Sequence, residues 1–132
     1  MYNTDLCIVH LFAAWAGFLC GVVSGAVVGL FFHQEGWLGG YGSYSRRLIR
    51  LGHISFFGIG FLNALFAFTA SVVHTPDLIA HIASIGLIIG AITMPLCCFA
   101  TAWQKQLRFL FPLPVASLLV GVALTLSMFV RS

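Results

Sequence analysis

The chain has 132 residues, a formal net charge of +3, 61% hydrophobic residues and only 7% charged ones, with a mean hydropathy of +1.06. Soluble domains carry about 25% charged residues, so this chain cannot clothe a water-exposed surface. Its composition predicts an all-α integral membrane protein of one domain, residues 1–132. The small positive charge falls mostly in two loops, which excludes a nucleic-acid footprint and reads as a topology signal.

The first apolar run, Cys7–Phe32, carries Gly17, Gly21, Gly25 and Gly29 at every fourth position, with Ala13 one step earlier. Each interior glycine costs a helix in water roughly 0.5–1 kcal/mol relative to alanine. In a bilayer the same row is useful, because membrane helices associate by close packing at small residues. The run exceeds the 7–15 residues of a signal-peptide core and no basic segment precedes it, so a permanent helix is expected.

The first loop, His33–Arg50, opens with glycines among Trp37, Tyr41 and Tyr44, rings that suit the headgroup level. It then holds Arg46, Arg47 and Arg50, and Ser45 is a candidate cap for the second helix. The second run, Leu51–Val73, contains Gly60, Ala64, Ala67 and Ser71. Asn63, near its middle, is expected to hydrogen-bond to another helix, without an ionisable neighbour. The short turn Thr75-Pro76-Asp77 follows, with Thr75 or Asp77 as a cap.

The third run, Leu78–Ala102, has Gly86 and Gly90, and Pro95, a source of a kink that Thr93 is placed to relieve. The third loop holds Lys105 and Arg108, and the fourth run, Leu113–Val130, has Ser117, Gly121 and Thr125 at four-residue spacing. Each run is long enough for a hydrocarbon core that takes about 20 helical residues. Helices at about 7–32, 51–73, 78–102 and 113–130 with short connections predict an up-down-up-down bundle. Its packing residues are Gly17, Gly21, Gly25, Gly29, Gly86, Gly90, Ser117 and Gly121. Five basic residues in loops one and three against Arg131 alone on the other side put those loops in the cytoplasm. Both termini are then outside, as in a bacterial-type inner membrane.

Of four cysteines, Cys20, Cys97 and Cys98 lie inside apolar runs, no CxxC is present, and adjacent Cys97 and Cys98 point to different faces. Catalytic triad motifs, HExxH, P-loops and paired carboxylates are absent, and Glu35 is the only glutamate. The chain is therefore expected to have no catalytic activity of its own. A proton-coupled carrier generally places Asp or Glu within its bundle, which disfavours a small transporter or channel.

The five histidines are the strongest functional signal. In this topology His10, His74 and His81 fall near the outer face and His33 and His53 near the cytoplasmic face. Imidazole in apolar surroundings is a natural ligand for haem iron, copper or zinc. A b-haem would need one histidine on each of two facing helices, for which His10 with His74 or His81, and His33 with His53, match in depth. The competing reading makes helix-end histidines interfacial residues, with His33 and His74 favoured by helix C-terminal dipoles. The sequence thus supports first a non-catalytic subunit or interaction module of a larger, respiratory or redox, membrane complex. Its partners are then the lipid bilayer and other transmembrane subunits, or a second copy. The alternative is a b-type haem or metal-binding electron-transfer protein using the outer histidines.

Overall fold

A computed structural model describes residues 3–73 and 77–131, so the candidate cap Thr75, together with Pro76 and His74, lies outside the described residues. Among the described residues all regular structure is helical. Four long helices follow in order: α1 (Asn3–Phe32), α2 (Tyr44–Val72), α3 (Asp77–Trp103) and α4 (Pro112–Arg131). All four are long and apolar enough to cross a membrane.

Each helix takes in more chain than the apolar runs alone indicated. α1 begins one turn earlier, which places Asp5 in its first turn, where the positive end of the helix dipole favours a carboxylate. α2 starts at Tyr44, and its cap is Ser43, not Ser45: the Ser43 hydroxyl accepts from the Arg46 backbone N–H at 3.2 Å. The displaced start draws Arg46 into the first turn of the helix. Between α1 and α2 the chain reverses through a 3₁₀ turn, Trp37–Gly39. Leu38, Gly39 and Gly40 there have φ of 53°, 86° and 95°, a backbone course that the two glycines adopt without steric cost. A second 3₁₀ segment, Lys105–Leu110, joins α3 to α4, which opens on Pro112 with its ring in the first turn.

The helices form a row in which sequence neighbours pack: α1 on α2, α2 on α3, α3 on α4, with only slight contact between α1 and α3. The inner pair bury 44% of their most apolar windows, the outer pair 17%. α2 and α3 thus form the centre, and α1 and α4 present most of their apolar surface outward. The main core runs across the row, where Phe66 and Ala70 of α2, Ala83 and Leu87 of α3 and Met128 of α4 meet, with Leu6 and Cys7 of α1 packed against them.

The small residues have specific neighbours. A Cβ on Gly17 would lie 3.1 Å from the Phe56 carbonyl of α2, and one on Gly86 would lie 2.7 Å from the Ser117 carbonyl and 3.1 Å from the Gly121 nitrogen of α4. Gly21 and Gly25 do something else: they form notches that receive the rings of Phe57 and His53. Gly90 receives the Leu118 side chain, and Gly121 faces Leu87. Gly29 differs from the expectation, with nothing within 4 Å. Positions four apart advance 400° on a helix, so such a row drifts about 40° per step and Gly29 has rotated away from α2. At Pro95 the helix continues; the Thr93 hydroxyl bonds the Ile89 carbonyl at 2.7 Å, its own preceding turn, and not the carbonyl the proline leaves free.

Two substitutions separate these roles. Gly86→Val should destabilise the detergent-solubilised protein by about 1–3 kcal/mol, since the neighbouring atoms are backbone and cannot yield. Gly29→Ala should stabilise it by up to about 0.5–1 kcal/mol. Thermal or denaturant unfolding followed by circular dichroism measures both.

Candidate functional site

His10 of α1 is 0% exposed, although it lies in the middle of an apolar sequence. Its Nδ1 lies 2.6 Å from Asn63 Oδ1 on α2, and its Nε2 lies 2.8 Å from Ser84 Oγ on α3. The Asn63 amide nitrogen donates to the Ile59 carbonyl at 2.8 Å, which turns the amide oxygen toward the imidazole. Nδ1 is therefore the donor to Asn63. In the neutral ring Nε2 then accepts from the Ser84 hydroxyl. The face of the ring is covered by Phe66, with centroids 4.3 Å apart. Three helices are thus joined through one side chain, and every polar atom of that imidazole has a partner.

Local sequence explains the position of each member. His10 precedes Ala14 by one turn, and Ala14 is buried at 1%, so both lie on the face that α1 turns toward its neighbours. Asn63 is one turn beyond Ile59 and three residues before Phe66, both buried residues of α2. Ser84 follows Ala83 and precedes Leu87 on the buried face of α3.

The order Asn63–His10–Ser84 also resembles the orienter, base and nucleophile of an acyl-transfer relay. Ser84, however, sits inside a continuous α-helix, where the surrounding backbone N–H groups are already bonded to the preceding turn. No preorganised donors are left to stabilise an oxyanion beside it. The arrangement is a hydrogen-bonded clasp.

The other histidines are dispersed. His53 of α2 is half-buried, with Nδ1 3.1 Å from Ser24 Oγ of α1 and its ring edge against Phe57. His33 is exposed just beyond α1. It is nine residues from Ser24, about 13 Å along a helix, so it is not at the level of His53. His81 is exposed and is not a partner of His10. The histidine pairs expected as cofactor ligands are therefore not assembled among the described residues. No group of three or more His, Cys, Asp or Glu able to hold a metal is found among them either. The four cysteines are free thiols.

A second polar centre lies at the opposite end of α1. Arg46 is 0% exposed. Its guanidinium donates to the Phe32 carbonyl at 2.6 Å and the Gln34 carbonyl at 3.3 Å. It sits against the rings of Tyr41, Phe32 and Trp37 at 3.9, 4.5 and 5.4 Å. The last carbonyls of α1 have no partner within the helix, and Arg46 supplies one. The aromatic faces stabilise the buried cation by their quadrupoles. Trp37 and Tyr41, expected as headgroup anchors, also flank an arginine, and Tyr41, like Tyr44, remains exposed. The Arg46 Nε and the Thr101 hydroxyl are buried without a partner.

Sequence reasoning assigned Asn63 no ionisable neighbour and passed over Ser84 and Arg46. The available signal was that His10 and Asn63 are isolated polar residues in adjacent apolar runs. Nothing in the sequence marks Ser84 apart from other helix serines. No protein-family model, curated protein or solved structure matches the chain.

If the clasp is hydrogen-bonded as described, His10→Leu and Ser84→Ala should be coupled in a double-mutant cycle of unfolding. The expected coupling is about 0.6 kcal/mol and not above about 1.7. Nitrogen-15 spectra of the neutral imidazole should show the proton on Nδ1. Additive mutations together with a proton on Nε2 would contradict the assignment.

Proposed function

We propose that this chain is a non-catalytic subunit or interaction module of a larger membrane complex, and that its helices cross in alternating directions. Both termini are then outside and the Arg46-bearing connection is cytoplasmic. The observation that carries the reading is the closure of the His10 site. Among the described residues the most deeply buried histidine, His10, uses both ring nitrogens to hold α1 to α2 and α3, which leaves no lone pair or proton for a substrate. The large outward apolar faces of α1 and α4 support the second half of the reading, since they suit helix–helix association as well as lipid. Gly29, the glycine of the row with no neighbour in the chain, lies on such a face.

The b-haem alternative would require His10 to give up the Asn63 or the Ser84 bond to free a nitrogen for iron. His53 keeps its Nε2 outside any hydrogen bond among the described residues and is the better candidate ligand. A transporter reading would need a polar path, and the clefts beside α2 are lined almost wholly by apolar residues.

Three measurements decide among these. The purified protein should lack a Soret band; a band that disappears in His53→Ala would establish the haem reading instead. A reporter fused to the C-terminus should respond from the outer side, and a cytoplasmic response would overturn the topology. Gly29→Leu should reduce the mass of the complex in mild detergent without destabilising the chain itself. Gly21→Leu should impair folding, because its side chain would meet Phe57.

A further inference from the structure

Away from the His10–Ser84 bond, α1 and α3 do not close on one another, and two clefts follow in sequence along the seam between them. One runs beside Val9–Cys20 of α1, with Gly17 and Gly60 on its wall, and has a volume of ≈ 490 Å³. The next, of ≈ 480 Å³, lies at the connection end and is lined by Val28, Phe31, Ile49 and Phe99, with Trp37 and Trp103 among the bordering residues. A helix about 10–12 Å across is too thick for so small a cleft, whereas an extended hydrocarbon chain is not.

We propose that the second cleft binds one acyl chain of an anionic phospholipid, whose phosphate is held by Arg50 and Lys105. The inference rests on the membrane reading above. Charge complementarity selects the headgroup: Arg46, Arg47, Arg50, Lys105 and Arg108 all belong to this end, against Glu35 as its acid. Arg46 is engaged with carbonyls and rings. Arg50 donates one guanidinium nitrogen to the Tyr41 carbonyl at 3.1 Å, and its other N–H groups remain for a phosphate. Arg50 stands beside the cleft residue Ile49, and Lys105 is an exposed cation two residues beyond Trp103. Clusters of such cations at the cytoplasmic surface attract anionic lipid. Trp37 and Trp103 both line this cleft, and indole rings favour the interface between chain and headgroup. The chain has further room inward, because the first cleft continues the seam. From Val9 to Phe31, α1 rises about 33 Å, the thickness of a hydrocarbon core.

The test uses the full chain in phosphatidylcholine vesicles containing a small fraction of lipid with brominated acyl chains, either phosphatidylglycerol or phosphatidylcholine. Trp15→Phe leaves Trp37 and Trp103 as the emitters. Brominated phosphatidylglycerol should quench them at least twofold more than brominated phosphatidylcholine at equal fraction. Lys105→Gln, at an exposed position, should reduce that preference, and Arg50→Gln with Lys105→Gln should abolish it. Val28→Phe, which fills the cleft, should lower quenching by both lipids. Equal quenching by the two lipids in the parent, or a preference unchanged in the double variant, would overturn the site. Trp15 itself is 71% exposed and should be quenched by either lipid in the wild-type chain. If it is quenched by neither, the chain is not in the bilayer, and the membrane reading falls together with this site.

Discussion

Hydrocarbon offers no water to a polar group, and a buried imidazole without partners would cost several kcal/mol. That constraint governs the arrangement of α1, α2 and α3. Asn63 and Ser84 are the only hydrogen-bond partners of His10 among the described residues, so the imidazole can be satisfied only when all three helices stand at one rotation and one height. Packing of apolar side chains alone would permit neighbouring registers. The hydrogen bonds select among them, as buried polar residues do when they fix the register of a coiled coil.

Close packing then follows two patterns. Where backbone meets backbone, at Gly17 with α2 and at Gly86 with α4, small residues let the helices approach. Where a glycine faces a ring, as Gly21 faces Phe57 and Gly25 faces His53, it makes a recess and not a contact seam. The second pattern couples packing to polarity. The His53 ring fits beside Gly25 while its Nδ1 reaches Ser24 one residue away. Small residue, ring and hydroxyl thereby fix the middle of the α1–α2 contact below the His10 clasp. Arg46 fixes its far end.

The helices and their approximate limits were legible in the sequence because twenty-odd apolar residues have few other ways to satisfy their backbone in lipid. Four-residue spacing singled out Gly17, Gly86 and Gly121, where a Cβ would meet atoms of a neighbouring helix at 3.1, 2.7 and 2.9 Å, and equally Gly29, where nothing lies within 4 Å, since a row of fourth positions winds around the helix. The importance of His10 could be read from its apolar flanks. Its role could not, because depth along two helices does not tell which side chains face one another. Asn63 and Ser84 at 2.6 and 2.8 Å answer a question of rotation that composition leaves open. Arg46 was hidden for a different reason. A charge near a helix end reads as a topology signal, and only the fold of the 3₁₀ turn brings three rings and two carbonyls to it.

The hydroxyls of α4 give the outer edge of the row a different character. Ser117, Thr125 and Ser127 all donate to carbonyls of α4 itself. Their bonds turn inward, and the helix meets α3 through shape at Gly86, Gly90 and Gly121. A one-residue slide of α1 would carry His10 about 1.5 Å along the axis and turn it by about 100°, breaking both of its bonds at once. The same slide of α4 would take Leu118 out of the recess at Gly90 and Gly121 away from Leu87. The two outer helices therefore differ in mechanical kind. α1 is keyed by hydrogen bonds, with one seat available to it, and α4 is held against α3 by the fit at Gly86, Gly90 and Gly121.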